Sequence, residues 1–373
     1  MNKKHLITAG LAAALLLSQA GISSFAEDTV EEDTGSVSSS ISQNAGASQD
    51  LSGLIEVTGE SSSQKGESLT QAKQEEEDKH PSVTPALPAA PPSGSLTVET
   101  CDPYPSPQKA AEEYADEIKK ADISYSSDTL FYTCTKELTG SGFYYLTHIV
   151  IADPDQIGGL LSYDDLGGER ETPLHAAERT GAQILVNGSY FDYGTNYATG
   201  GDLLIRDNKV LHGSYSDGYE ICLRSDGTLF SPGYNTIDSV LKENVKFSLG
   251  TCEDLLIRNG KKMELRDLDW DSALYPRTAV GMVRPLEYYL ITAGTTGHAQ
   301  GITIYEEQEI FSSLGCWYAR GLDGGGSSAL VIGGAYQNEN GDTSDGKTER
   351  RPVSDFLAVY DKARTETETE SEK

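Results

Sequence analysis

The stretch Gly321-Leu322-Asp323-Gly324-Gly325-Gly326-Ser327-Ser328 stands between an apolar run and the strand-like residues 329–332. Three consecutive glycines allow positive φ angles, and they let backbone N–H groups converge on an anion or approach a ligand closely. An Asp-Gly-Gly sequence alone is equally typical of a hairpin loop that carries a solvated aspartate. The turn therefore becomes a candidate site only in combination with other parts of the chain.

The first 26 residues have the pattern of a secretory signal peptide. Lys3 and Lys4 precede an apolar run over residues 6–17, and Ser24-Phe25-Ala26 is a small-x-small cleavage pattern. The apolar run is shorter than the ~20 residues of a spanning helix, and no second run of that length follows it. We expect an exported protein, secreted or associated with the cell envelope, with no transmembrane segment after signal cleavage.

The net charge restricts the choice of partners. Removal of residues 1–26 takes away two lysines and no acids, which leaves 27 basic and 58 acidic residues and a formal charge of −31. A strongly negative field repels polyphosphates at long range, so nucleic acid is not expected as a partner.

Five cysteines are widely spaced along the chain: Cys101, Cys134, Cys222, Cys252 and Cys316. None of them has the spacing of a Cys or Cys/His metal site. Export permits disulfides, but a domain of this size does not need them, so pairing stays open.

The composition divides the chain into segments. Residues 27–95 form a Ser/Glu/Pro-rich segment with almost no aromatics, which is typical of a disordered linker. Residues 96–127 predict a helical lead-in, with Ser106 as N-cap and Pro107 at the first helical position. The main domain is expected over residues 128–362, and residues 363–373 are an acidic tail.

Within the main domain, short β-type runs alternate with Asp-Gly and Asn-Gly turn signals, a pattern that favours antiparallel hairpins. Helices are predicted at residues 173–180, ended by Gly181, and at residues 302–314. The pattern predicts an α+β fold with a mixed, largely antiparallel β-sheet core and a few packed helices, preceded by a disordered stalk. The predicted strands cover residues 129–132, 143–151, 182–188, 202–206, 209–212, 220–224, 228–230, 255–258, 278–283, 288–292 and 353–360.

Three further polar turns border predicted strands, at residues 187–192, 276–281 and 350–354. Their order, together with the Asp323 turn, resembles the phosphodiester glycosidase family over about residues 129–360. Two departures are visible: Gly321 stands where the family often has Asn, and the first motif reads Asn-Gly-Ser-Tyr-Phe in place of a version richer in Gly and Phe. The likeness rests on Asn187-Gly188 with Phe191, Gly200-Gly201, residues 223–229, residues 256–260, Arg277-Thr278-Ala279-Val280-Gly281, Gly301-Ile302-Thr303, Leu322-Asp323-Gly324-Gly325-Gly326-Ser327, and Arg351 with Val353-Ser354.

The resemblance implies hydrolysis of a sugar-1-phosphodiester, with a phosphodiester-linked glycan or envelope polymer as partner and terminal N-acetylglucosamine or a similar sugar as product. The expelled phosphomonoester is a good leaving group, so charge stabilisation matters more than general-acid help. Arg277 and Arg351 suit the phosphate, because guanidinium groups bind its oxygens bidentately. Asp323 would face the anomeric carbon, either as nucleophile or as the base that activates water.

Other residues complete the candidate site. Asn187 is expected to hold a sugar hydroxyl or to orient the carboxylate, and Asp192 is a weaker candidate for a second carboxylate. The N–H groups of the glycine run and the Ser327 hydroxyl are expected to hold sugar or phosphate oxygens. The substrate-binding set is Gly188, Asp192, Gly200, Gly324, Gly325, Gly326 and Ser327.

Two other functions compete with this interpretation. The chain could be a non-catalytic extracellular glycan-binding module of the same fold. It could also be a serine hydrolase, because Gly325-x-Ser327-x-Ala329 approximates a nucleophile elbow. However, a strand-like run follows Ser327 where the elbow needs a helix, and no histidine follows it in the chain.

No cofactor or metal is required by this chemistry. Asp267-x-Asp269-x-Asp271 and residues 338–345 resemble calcium loops, but neither has the glycine and glutamate that an EF-hand requires. A peripheral Ca²⁺ stays open, without a defined ligand set.

Overall fold

The computed structural model describes residues 102–140, 142–191, 203–266, 273–294, 301–338 and 350–362. The expected signal peptide, linker and acidic tail lie outside these ranges. No helix in the described ranges combines the length and the apolar content that crossing a membrane requires.

Helices are few and short. They are α1 (Pro107–Glu113), α2 (Ala115–Ile118), α3 (Pro173–Thr180), α4 (Ile237–Leu241) and α5 (Ile304–Ser313), with 3-10 turns at Pro154–Gln156, Ser162–Asp164 and Gly325–Ser327. The strands are β1 (Ile123–Ser126), β2 (Leu130–Leu138), β3 (Phe143–Ile151), β4 (Ile157–Leu161), β5 (Ile184–Asn187), β6 (Leu204–Arg206), β7 (Lys209–His212), β8 (Tyr215–Asp217), β9 (Glu220–Arg224), β10 (Leu229–Phe230), β11 (Tyr234–Thr236), β12 (Val245–Gly250), β13 (Leu255–Arg258), β14 (Lys261–Lys262), β15 (Arg277–Arg284), β16 (Glu287–Ala293), β17 (Tyr318–Gly321), β18 (Leu330–Ile332), β19 (Ala335–Tyr336) and β20 (Asp355–Val359).

Local capping chemistry sets the helix ends. The Ser106 side chain accepts a hydrogen bond from the third residue of α1, as predicted, but the helix breaks at Tyr114 into α1 and α2. Helix α3 ends at Gly181, whose φ of 69° closes it in the left-handed conformation. Helix α5 begins after Thr303, because Thr303 and Glu306 form a reciprocal capping box.

The strands form four sheets. The largest has the order β1-β2-β3-β16-β15-β17-β13-β14, and the two five-stranded sheets have the orders β10-β9-β12-β6-β7 and β19-β18-β5-β20-β4. Strands β11 and β8 form a separate ribbon. Every strand pairing in the described part of the chain is antiparallel. The expected α+β fold with a largely antiparallel core is confirmed.

One apolar core joins the three large sheets. Val280 of the eight-stranded sheet, Val186 and Leu357 of one five-stranded sheet, and Phe247 of the other belong to the same buried cluster. Each such side chain contributes about 1.5–3 kcal/mol on full burial. On β15 the alternate residue Ala279 belongs to a second cluster with Phe311 of α5, so that helix covers the other face of the large sheet.

Some strands carry no clear sequence signal. Strand β17 has a buried arginine in its middle, Arg320, whose guanidinium donates to the carbonyl oxygens of Glu253 and Gly218. Because main-chain oxygens satisfy this charge, it is tolerated inside the sheet. Strands β1, β4, β8, β11, β12, β14 and β19 and the helix α4 were also not predicted from the sequence pattern.

Candidate active site

Several strand ends meet at one place. In an antiparallel pair, the end of one strand lies beside the start of its neighbour. Strand β5 ends beside the start of β20, and β17 ends beside the start of β15. The main-chain N–H of Asp323 donates to the carbonyl oxygen of Gly188 at 3.1 Å, which joins the two pairs. Three of the polar turns that the sequence singled out therefore meet at the Asp323 turn.

Asn187 is the link between these turns. Its Nδ2 donates to the main-chain oxygen of Asp323 at 2.7 Å, and its Oδ1 accepts from Thr278 Oγ1 at 2.8 Å and from the Ala329 N–H at 3.1 Å. The side chain is fully buried. Asn187 thus fixes the backbone of Asp323, and its expected contact with a sugar hydroxyl stays a prediction.

The glycine run forms a tight 3-10 turn over Gly325–Ser327. Gly325 has a φ of 59°, and its N–H donates to the Pro276 carbonyl oxygen at 2.8 Å. A Cβ on Gly326 would come within 2.5 Å of the Arg351 Nη2, so glycine is required for the guanidinium to lie over the turn. Arg351 Nη1 also donates to Ser327 Oγ at 3.3 Å.

The half-buried Asp323 carboxyl lies in this turn. Desolvation raises its pKa, whereas the Ser327 hydroxyl, the charge of Arg351 and the Gly324 N–H lower it, and the charge of Glu253 raises it again. The balance raises the pKa of Asp323 to about 7. A carboxyl group that titrates near neutral pH inside a cluster of arginines and turns is typical of a catalytic site.

Arg277 is almost completely buried at the start of β15. Its Nε donates to the Ile302 carbonyl oxygen at 2.9 Å, and its Nη1 lies 3.5 Å from Glu253 Oε2. Its guanidinium is therefore held in a fixed orientation by protein contacts. Of the two arginines, Arg351 acts directly on the charge of Asp323, and Arg277 lies beside a different carboxylate.

That carboxylate, Glu253, was not among the residues expected at the site. It lies just before β13, which pairs with β17 and so places Glu253 near the end of that strand. Its Oε1 is 4.0 Å from the position that a Cβ on Gly324 would take, beside Asp323. The sequence signal was a polar Thr-Cys-Glu-Asp turn before a predicted strand, but the partner of that strand was not evident from the sequence.

A further carboxyl group lies behind Arg277. Glu307 of α5 is buried, and its Oε1 has no hydrogen-bond partner among the residues that the structure describes. Desolvation raises its pKa, Arg277 opposes the shift and Glu253 adds to it, so the pKa of Glu307 is about 8. Near neutral pH Glu307 is mostly a neutral acid, and the ion pair of Arg277 is with Glu253.

Comparison with known proteins identifies the domain. The family model of the phosphodiester glycosidases matches residues 180–360, a range that includes Asn187, Arg277, Asp323 and Arg351. Residues 180–360 belong to the phosphodiester glycosidase family.

Two curated relatives of this phosphodiester glycosidase domain are known. An uncharacterized protein of the SPbeta prophage of Bacillus subtilis, YomE, is 29% identical over 205 residues, which are 51% of this chain and 30% of the relative. The N-acetylglucosamine-1-phosphodiester alpha-N-acetylglucosaminidase of Mus musculus is 26% identical over 233 residues, which are 57% of this chain and 44% of the relative. The chain thus spans less than half the length of either protein.

A solved structure shows the same fold. The zebrafish N-acetylglucosamine-1-phosphodiester alpha-N-acetylglucosaminidase catalytic domain, auto-inhibited by its pro-peptide, superimposes with a TM-score of 0.53 at 20% identity. The match covers 65% of this chain and 87% of the zebrafish chain.

The structure describes only some of the other site residues expected in the phosphodiester glycosidase domain. Asp192 and Gly200 lie outside the described residues. The N–H groups of Gly324 and Gly325 were expected to hold sugar or phosphate oxygens, but they donate to the Asp323 carboxylate and to Pro276. The Ser327 hydroxyl bonds to Asp323 and Arg351, and strand β18 follows it where a nucleophile elbow would have a helix.

Metal ligands and thiols are the remaining groups with potential chemistry. The described residues contain no group of three or more His, Cys, Asp or Glu side chains arranged to hold a metal ion. The calcium-like sequence at residues 267–271 lies outside the described ranges, and so does the sequence at residues 338–345 except for Asn338. The Asn338 side chain bonds to the main chain of Leu330 and Ser328. Cys134, Cys222, Cys252 and Cys316 are free thiols, and Cys101 is outside the described residues.

Proposed function

We propose that this chain is an exported glycosidase that hydrolyses sugar-1-phosphodiester linkages. The observation that carries the proposal is the Asp323 carboxyl, with its pKa raised to about 7, held beside Arg351 in a turn of the phosphodiester glycosidase domain. Carboxylates at the anomeric centre are the common catalytic groups of glycoside hydrolysis. Arginine forks are the common ligands of phosphate.

In the proposed reaction, Asp323 faces the anomeric carbon of the sugar. The bond between that carbon and the phosphate oxygen breaks, the phosphomonoester leaves with the electron pair, and water supplies the new hydroxyl group of the sugar. Arg351 and Arg277 bind the phosphate oxygens and stabilise the charge that develops on them. Because both guanidinium groups are already oriented by protein contacts, little reorganisation is needed.

The substrate class follows from the relatives and from the N-terminus. The mouse relative is named for N-acetylglucosamine in a 1-phosphodiester linkage, so terminal N-acetylglucosamine or a similar sugar is the proposed product here. The signal-like residues 1–26 support export, which makes a phosphodiester-linked glycan or an envelope polymer the proposed partner. A mature N-terminus at Glu27 in protein recovered from outside the cell would support the export step.

The test uses the full chain and a panel of synthetic sugar-1-phosphodiesters, beginning with N-acetylglucosamine. We expect equimolar release of free sugar and phosphomonoester, and in H₂¹⁸O we expect the label in the sugar. Label in the phosphomonoester would show cleavage of the P–O bond and would contradict the glycosidase assignment.

The matched variant is Asp323→Asn, for which we expect a loss of turnover of about 10³-fold or more. Its melting temperature should equal or exceed that of the wild type, because the change removes a charge whose desolvation is costly. Glu309→Gln, a change of one exposed carboxylate on α5, serves as the control with unchanged activity. Saturable binding of the substrates without any release would favour the glycan-binding module.

A further inference from the structure

Glu253 is the second acidic side chain at the proposed site. Its carboxylate has one oxygen 3.5 Å from Arg277 Nη1, and the other lies close to the turn that carries Asp323. The charge of Glu253 reaches Asp323 strongly enough to contribute to its raised pKa. Glu253 thus lies between the anomeric carboxylate and one of the two phosphate-binding arginines.

The side chains of Thr251 and Arg320 hold the main chain of Glu253 in place. Its N–H donates to Thr251 Oγ1 at 3.0 Å, and Thr251 Oγ1 in turn donates to the carbonyl oxygen of Gly321 at 2.9 Å. Its carbonyl oxygen accepts two hydrogen bonds from the buried Arg320. Such anchoring is expected for a side chain that must act at a fixed position.

Strand β17 also leaves room for the side chain of Glu253. A Cβ on Gly321 would come within 2.7 Å of Glu253 Cβ and 3.0 Å of its Cγ. Only glycine at that position lets the glutamate stem lie against the strand that ends at Asp323. Gly321 therefore leaves the space that the Glu253 side chain occupies.

We propose that Glu253 is the acid/base carboxylate of this site, which makes Asp323 the nucleophile. The assignment rests on the proposed function. In a retaining glycosidase, the water that completes the reaction enters from the side that the leaving group has vacated, and the acid/base residue lies on that side. Arg277 marks the phosphate side of the site, and Glu253 lies beside it.

The two steps balance as follows. In the first, an Asp323 oxygen attacks C1, the C1–O bond to phosphate breaks, and the phosphomonoester leaves with the electron pair. In the second, water attacks C1 as Glu253 removes its proton, the C1–O bond to Asp323 breaks, and Asp323 leaves as the carboxylate. Glu253 then returns the proton to solvent, and the sugar is released with retained anomeric configuration.

The leaving group predicts which step depends on Glu253. A phosphomonoester leaves without much protonation, so the first step needs little from Glu253, whereas water is a poor nucleophile without a base. We expect Glu253→Gln to lower kcat about 10²-fold and KM along with it, and to show a burst of phosphomonoester equal to the enzyme concentration. Intact-mass and peptide analysis should then find a sugar bound to Asp323.

Rescue of Glu253→Ala by azide distinguishes an acid/base role of Glu253 from a structural role. Azide is an anionic nucleophile that needs no proton removed, so it should restore turnover at least tenfold and give the glycosyl azide with retained configuration. Glu309→Gln with and without azide is the control for loss of one carboxylate.

Four outcomes overturn the assignment. The first is a wild-type turnover rate in Glu253→Gln. The second is slow turnover in Glu253→Gln and Glu253→Ala that shows no burst, no sugar adduct and no rescue by azide. The third is inversion of the anomeric configuration by the wild type, because it removes the nucleophile step. Absence of release by the wild type overturns the proposed function itself, and this assignment with it.

Discussion

Two groups of desolvated carboxyl and basic side chains in this molecule differ in how they are paired. One lies on the large sheet, where His148 of β3 is enclosed by Glu117 of α2 and by Glu287, the first residue of β16. The other is the candidate site at the strand ends, with Asp323, Glu253 and Arg277. The carboxyl pKa values are lowered in the first group, and the pKa of Asp323 is raised in the second.

In the His148 cluster, every charge has a partner. Its Nδ1 lies 3.1 Å from Glu117 and its Nε2 lies 3.3 Å from Glu287, while Arg284 and Tyr114 also donate to Glu287. Desolvation lowers the pKa of His148, but the two carboxylates outweigh it and raise the pKa. Desolvation likewise raises the pKa values of Glu117 and Glu287, but His148 and their other partners bring both below the usual range.

At the candidate site, desolvation and nearby charges also compete, but here desolvation outweighs the charges. Desolvation dominates for Asp323 and for Glu307, so both pKa values are raised towards neutrality. The difference shows that pairing, and not burial alone, decides whether the pKa of a desolvated carboxyl group is raised or lowered. The His148 cluster fixes the lead-in helix to the large sheet, whereas the strand-end cluster retains carboxyl groups that can exchange protons.

The largest expected effect concerns the stability that the His148 cluster gives to the fold. His148→Ala removes a buried partner of both Glu117 and Glu287 and leaves a cavity between them, so we expect a loss of about 3–5 kcal/mol in the free energy of unfolding, measured by urea denaturation. His175→Ala is the matched control, because its side chain also contacts a buried glutamate, Glu171, but is itself exposed and leaves no cavity. The control should lose less than about 1 kcal/mol, and an equal loss in both variants would contradict the distinction.

The same variant predicts a pH dependence with a defined sign. A histidine whose folded pKa is raised stabilises the protein fully below its unfolded pKa, and the stabilisation is lost as the pH rises through the folded value. Glu117 and Glu287 have lowered pKa values, so their contribution is present above the unfolded carboxyl pKa and is lost as the pH falls. The difference between wild type and His148→Ala should be greatest between about pH 4.5 and 6.5.

The next largest effect tests Arg351 at the candidate site. Arg351→Lys keeps the charge but loses the planar fork over Gly326, so we expect kcat/KM to fall about 10- to 100-fold with an unchanged melting temperature. The same substitution at Arg350, which stacks on Tyr336, is the control and should retain activity. Wild-type kcat/KM in Arg351→Lys would remove the phosphate role from this arginine.

The smallest effect is the pH profile of activity. Asp323 must be ionised to act as a nucleophile, and its pKa is raised to about 7, so kcat/KM should fall about fivefold from pH 7 to pH 6. Asp323 itself stabilises the fold most below its unfolded pKa of 3.8, and this contribution decreases as the pH rises towards 7. A kcat/KM that stays constant down to pH 5 would show that the rate does not depend on the ionisation of Asp323.

Local chemistry explains what the sequence could predict. Helix α3 with Gly181, strands β3, β7 and β9, and the turns at Asn187, Arg277 and Asp323 follow from capping, period-two patterns and glycine content. These signals act over a few residues, so they are visible in a single chain.

Long-range pairing explains what the sequence could not predict. Glu253 enters the site only because β13 pairs with β17, and Arg277 is oriented by Ile302, which is distant in sequence. Strand β17 has a buried arginine that no periodic pattern anticipates, because its partners are main-chain oxygens. The hydrogen bonds of Asn187 to Thr278, Asp323 and Ala329 likewise depend on two sheets that meet.

The hydrogen bonds of Asn187 also couple the site to the order of folding. They reach partners 91, 136 and 142 residues away, so each closes a long loop of chain. Contacts of such large sequence separation form slowly, because their entropic cost must be met before they stabilise the structure. A folding intermediate with separate hairpins would therefore hold Asp323 unaligned. Recovery of turnover during refolding should lag behind recovery of β-sheet structure, which makes activity a marker of the completed fold.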